Sequence, residues 1–109
     1  MSYNIIAVPT FKKELKKLAK KYHSIKSDLA TLFETLEINP EQGISLGNNC
    51  YKIRLSITSK NKGKSGGARL ITNFVITDNI VYLLSIYDKS DKENLTDKEL
   101  NQLLKYIPE

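Results

Sequence analysis

The stretch "SKNKGKSGGARL", residues 59 to 70, holds four cations, three glycines and no carboxylate. Lysine and arginine at this density bind phosphates and stabilise the negative charge of a phosphorane. Glycine lets the backbone turn with φ > 0 or approach a ligand closely. In "YKIRLSIT", just before it, Lys52 and Arg54 share one side of an alternating strand, about 7 Å apart from the strand rise over two residues. Tyr87 and Lys89 end a later apolar run, "IVYLLSIYDK". In a meander the end of the last strand lies near the start of the strand before it, so Lys52, Arg54, Arg69, Tyr87 and Lys89 can converge. RNA offers such a cluster a reaction that needs neither a metal nor a protein nucleophile. Its 2′-hydroxyl attacks the adjacent phosphate once the strand is held in line, the developing charge is neutralised and a proton is moved. The plain alternative is a polar strand face and a solvated hairpin tip whose lysines deter aggregation.

Other chemistries have little support. Cys50 is the one cysteine and reads as a small packing residue, and His23, the one histidine, sits at a break between helical stretches and reads as a surface or capping group. No zinc spacing, Gly-x-Ser-x-Gly elbow or phosphate-binding loop is present, so neither metal nor cofactor is expected.

The net charge of +5 is local. Residues 1 to 41 carry seven cations and five anions, residues 78 to 109 four and seven, while residues 42 to 77 carry six cations and no acid. A basic patch so placed points to a polyanionic partner. A second concentration, Lys12, Lys13, Lys16, Lys17, Lys20 and Lys21, wraps the non-core surface of the first helical stretch. It reads equally as a solvated face or as an auxiliary phosphate contact.

The elements that position these groups follow from periodicity. "YNIIAV" is a short strand stopped by Pro9, after which Thr10 can cap a helix running to about Tyr22 with Phe11, Leu15, Leu18 and Tyr22 on its apolar stripe. A second helix, to Glu37, carries Ile25, Leu29, Leu32, Phe33 and Leu36 and forms a hairpin with the first. "EQGISLGNN" reads as a loop. Then come three strands, the last continuous enough in apolar residues to be central and covered on both faces, with a turn at Asp78 and Asn79. Thr96 and Glu99 form a capping box for a final helix, with Leu95 and Leu100 as its staple. The order β-α-α-β-β-β-α predicts an α+β fold, a small antiparallel or mixed sheet with helices packed on one face. Residues 1–109 are expected to be one domain, without an export signal or membrane span and therefore cytoplasmic.

In this order and spacing, "KIR" in a strand, "GKSGGARLI" opening the next and "VYLLSIYDKSDKENLT" leading to the last helix resemble the RelE/HigB-type toxins of bacterial type II toxin–antitoxin systems, across nearly the whole chain. The resemblance implies a toxin that enters the ribosomal A site and inhibits translation by metal-independent cleavage of mRNA. Carried over by position, Arg54 and Arg69 would stabilise the scissile phosphate, with Tyr87 or Lys89 assisting as charge stabiliser or proton donor. Lys52, Lys60, Lys62, Lys64 and Lys92 would hold the RNA backbone. No histidine or glutamate falls obviously in this cluster, which leaves the general base unassigned; a lysine with its pKa lowered by neighbouring cations could serve. The family also implies a cognate antitoxin, through which alone operator DNA would be bound. The same superfamily contains ParE-type inhibitors of DNA gyrase, and a non-catalytic nucleic-acid-binding module is the third reading.

Overall fold

Pro9 fixes where the first helix begins. Its ring presets helical φ and its missing N–H costs nothing at a first helical position, so helix α1 (Pro9–Lys21) follows directly on strand β1 (Asn4–Ala7). Thr10 therefore lies inside the helix; Val8 is the capping residue, and no side chain supplies the cap. The computed structural model, which describes residues 3–60, 67–92 and 94–108, continues with α2 (Ile25–Leu36), β2 (Ile44–Gly47), β3 (Cys50–Leu55), β4 (Ala68–Val75), β5 (Ile80–Asp88) and α3 (Asp97–Leu104).

Strand β2 lies within "EQGISLGNN", which reads as a loop in sequence. All four of its residues are exposed, so no burial pattern betrays it. It exists because residues 47 to 49 turn tightly, with φ of 82°, 53° and 61° at Gly47, Asn48 and Asn49, and return the chain antiparallel onto β3.

The five strands form one mixed sheet in the order β1-β5-β4-β3-β2, with β1 parallel to β5 and every other pair antiparallel. The α+β class and the three-strand meander agree with the sequence reading. The placement of the helices does not. Asp88 accepts a hydrogen bond from Tyr22 at the end of α1, so the helical hairpin covers the Asp88 face of the sheet. Side chains alternate along a strand, which puts Tyr87 on the other face. There Lys92 lies over the Tyr87 ring at 5.9 Å and Lys52 donates to Asn94 at 3.0 Å, so the segment leading into α3 crosses the opposite face. The physical reason is burial: β5 is buried from Val81 to Asp88 and β4 from Ala68 to Phe74, and strands with no exposed side need cover on both.

Two local features hold the ends of this arrangement. A Cβ on Gly67 would come within 2.0 Å of the Leu55 carbonyl oxygen, so only glycine lets β4 start so close to β3. At the start of α3, Glu99 N–H donates to Thr96 Oγ1 at 3.1 Å and Thr96 N–H to Glu99 Oε1 at 3.0 Å, the expected capping box. Thr96→Ala is expected to lower stability by about 1 kcal/mol, the usual cost of losing such a cap, read as a shift of the urea midpoint at unchanged slope.

Candidate nucleic-acid interface

Arg54 on β3 is registered opposite Arg69 on β4, and Arg69 opposite Tyr87 on β5. Paired residues present their side chains to the same face, so the sheet sets two guanidinium groups and a phenol in one row across three strands. The next row is Lys52, Ile71 and Ser85. Like charges directly opposite one another are unfavourable in a sheet, and an anion bound between them reverses the sign of that interaction.

The members of the row differ in setting. Arg54 is exposed, whereas Arg69 is only 3% exposed and its Nη1 donates to the Ala68 carbonyl at 3.0 Å. Burial, and then the neighbouring Arg54 cation, lower the Arg69 pKa from its ordinary value; a guanidinium remains charged even so. The Tyr87 phenol oxygen is buried and has no hydrogen-bond partner among the described residues. Burial pushes the Tyr87 pKa up, and the Arg69 charge offsets this only in part. Tyr87 is therefore a neutral phenol near pH 7, able to give a proton rather than take one. Lys89 is the first residue beyond β5; its backbone N–H donates to the Gly67 carbonyl at 3.1 Å, keeping it at the same end of the sheet as Arg69.

Two lysines border the row from the side. Lys52 is tied to Asn94, and Lys92 forms an ion pair with Glu99. That pair, with the Thr96 amide, lowers the Glu99 pKa to about 2. Along the β3 edge, between α2 and β2, runs a groove of about 860 Å³ that includes Lys52 and Arg54 and does not reach Arg69 or Tyr87.

Lys60 is placed otherwise than the sequence suggests. Its ammonium is 2.6 Å from Asp88 Oδ1, its side chain is 11% exposed, and it lies over the Tyr22 ring. It is a packed ion-pair partner in the short 3₁₀ turn Thr58–Lys60 and does not project into solvent. Lys62 and Lys64 lie outside the described residues. Cys50 is buried, with its pKa pushed up by that burial, and His23 is exposed between α1 and α2.

The sequence places no glutamate obviously in the cluster, and the structure brings two. Glu99 arrives with α3. Glu14, on α1, accepts from Ser85 Oγ at 2.8 Å at the β5 edge, and its pKa is raised by burial. A signal for Glu14 existed: it lies three residues after Phe11 and four before Leu18, on the buried side of a helix whose other charges are all lysines.

The family model described as the RelE toxin of the RelE/RelB toxin–antitoxin system matches residues 9–107. Among solved structures, the chain is similar to an arginine-to-alanine double mutant of Escherichia coli toxin RelE in the free state, at 19% identity and TM-score 0.64, covering 99% of this chain and 100% of that one. It is also similar to a chain of the toxin–antitoxin complex RelBE2 from Mycobacterium tuberculosis, at 17% identity and TM-score 0.58, covering 84% and 95%. A third likeness is to a chain of the intact E. coli RelBE complex, at 23% identity and TM-score 0.53, covering 80% and 96%. At these identities the likenesses establish the fold.

Proposed function

The chain belongs to the RelE toxin family, and on that premise we propose that it is the toxin of a type II toxin–antitoxin system and cleaves mRNA on the ribosome without a metal. The observation that carries the reading is the row of Arg54, Arg69 and Tyr87 across β3, β4 and β5. The 2′-hydroxyl of a nucleotide held in line gives up its proton to water as its oxygen attacks its own 3′-phosphorus, and the bond to the 5′-oxygen of the next nucleotide breaks, leaving a 2′,3′-cyclic phosphate and a 5′-hydroxyl. Arg69, fixed by burial, and Arg54 stabilise the phosphorane. Tyr87, held neutral, or Lys89 protonates the departing oxygen. Lys52, Lys92, Lys62 and Lys64 hold the flanking backbone. Lys60 is omitted because Asp88 holds it.

Arg69 and Tyr87 are covered in this structure, so the reading requires the residues around Lys92 and Leu95 to shift when RNA enters. The contacts that tie them down involve Lys52 with Asn94 and Lys92 with Glu99, and a phosphate can replace either partner of a lysine. The antitoxins in the similar complexes support a cognate antitoxin as the protein partner that restrains this activity.

The test is primer extension on mRNA under translation, with and without EDTA. Cleavage that depends on ribosomes, persists in chelator and yields 5′-hydroxyl ends is the expected result. Intact message accompanied by gyrase-dependent DNA cleavage would replace this reading with the ParE-type one, and intact message with intact DNA would leave a binding module.

A further inference from the structure

Glu14, half-buried on α1, has no part in the cleavage chemistry described so far. Strand β1 pairs with β5 only as far as Ala7 and Leu83, and α1 packs along β5 beyond that point. From there the Glu14 carboxylate accepts from Ser85 Oγ at 2.8 Å and from the Ile86 N–H at 3.4 Å. Ser85 shares its face of the sheet with Tyr87, two residues and about 7 Å farther along β5. The carboxylate therefore stands at the rim of the Arg54, Arg69 and Tyr87 row. It is within electrostatic reach of Tyr87 and, on the segment that crosses this face, of Lys92 and Glu99. Lys13 and Lys17, its charged neighbours on α1, are exposed.

Its setting differs from that of the other anchored carboxylates. At Asp28 and Asp88 the bonds received outweigh burial, and Lys92 and Thr96 hold Glu99 at about 2, so these three are fixed anions. Glu14 has no ion-pair partner among the described residues, and burial raises its pKa by more than Ser85, the Ile86 N–H and the Lys92 charge lower it. A carboxylate so incompletely compensated accepts a proton more readily than a solvated one. Its anchors also persist, because both lie on β5 and neither on the segment around Lys92 and Leu95 that must shift when RNA enters.

The row itself supplies cations and a neutral phenol, none of them suited to taking a proton from the nucleophile. We propose that Glu14 is the terminal proton acceptor of the cleavage step, receiving through one water the proton that the 2′-hydroxyl releases. The offset of about 7 Å between Ser85 and Tyr87 leaves room for that water. As the 2′-oxygen bonds to phosphorus its O–H bond breaks, the water takes that proton and passes one of its own to the carboxylate, and Tyr87 or Lys89 protonates the departing 5′-oxygen. Afterwards the Glu14 carboxyl returns its proton to solvent and the donor regains one. Glu14 acts through water without touching the phosphate, and it has this role only if the chain cleaves RNA as proposed above.

Single-turnover cleavage of mRNA on programmed ribosomes, followed from pH 5.5 to pH 8, tests this in the parent chain, Glu14→Gln, Glu14→Ala and Ser85→Ala. Glutamine keeps the size of the side chain and an acceptor for Ser85, and a melting curve checks the fold. Expected for Glu14→Gln is a rate about 10²-fold lower at saturating ribosomes, the usual scale of general-base catalysis, with the half-saturating concentration unchanged and the acid limb of the pH profile gone. Ser85→Ala removes a bond to the charged form and should move that limb to higher pH. Formate should restore part of the rate lost in Glu14→Ala, which a purely structural carboxylate would not allow. Cleavage by Glu14→Gln within threefold of the parent, an acid limb that persists in it, or a slow Glu14→Ala that formate does not rescue would each assign Glu14 to the fold alone. A parent chain that cuts at no pH would overturn the RNA-cleaving reading, and this role with it.

Discussion

Arg69→Ala is expected to reduce ribosome-dependent mRNA cleavage by roughly 10²- to 10³-fold, the usual loss when one pre-positioned donor to a developing oxyanion is removed. The argument is positional. Arg69 is the second residue of β4, is registered between Arg54 and Tyr87, and has almost no freedom to reorient at 3% exposure. A guanidinium held in this way needs no reorganisation as charge accumulates on the phosphate, whereas the exposed Arg54 must be ordered by the substrate. Arg54→Ala should therefore cost less, about tenfold, and appear mainly in the concentration of programmed ribosomes needed for half-maximal rate. Because Arg69 is buried, its replacement is paired with Arg69→Lys, which keeps the charge but loses the fork geometry. If the lysine variant melts like the parent chain and still cuts as fast, the catalytic assignment to Arg69 is wrong.

How far this site was legible in the sequence depended on whether the signal was local. The row of Arg54, Arg69 and Tyr87 follows from alternation in "YKIRLSIT" and from the order of a meander, both properties of short stretches. The capping box at Thr96 and Glu99 is four residues long and was equally visible. What escaped was set by contacts distant in sequence. Lys60 looked like one more cation of a basic loop, because its partner Asp88 is 28 residues away and is recruited by the end of β5. Glu14 drew no notice, because the β5 edge it reaches is open only where β1 stops at Ala7. Strand β2 has no buried residue from which to infer it and depends wholly on pairing with β3. The α3 side of the sheet illustrates the same point: an apolar run such as "VYLLSIY" announces that both faces are covered, but not which helix covers the second.

Asp88 should be the most consequential residue for stability. Its carboxylate, 1% exposed, accepts from Lys60 Nζ at 2.6 Å, Tyr22 Oη at 2.6 Å, Ser90 Oγ at 2.7 Å and Ser90 N–H at 3.0 Å, joining the end of α1, the Thr58–Lys60 turn and the end of β5. Burial alone would raise its pKa; the bonds from Lys60, Tyr22 and Ser90 together outweigh burial and hold the carboxyl well below the usual range. Asp88→Ala is expected to destabilise the chain by about 3–5 kcal/mol, since it strands the Lys60 ammonium in a packed site. A second change, Lys60→Met, should recover much of that loss by removing the stranded charge. The pH dependence has a definite sign. A carboxyl with a depressed folded-state pKa contributes stability that is complete above its unfolded value, near 3.8, and is lost as pH falls through the lower folded value. Urea unfolding from pH 6 down to pH 3 should show the parent chain losing stability below about pH 4, with a flatter profile for the double variant. Equal slopes in the two chains would mean that the acid sensitivity resides elsewhere, with Asp28 the next carboxylate to replace: burial raises its pKa, but bonds from Thr58 and Ser24 lower it overall.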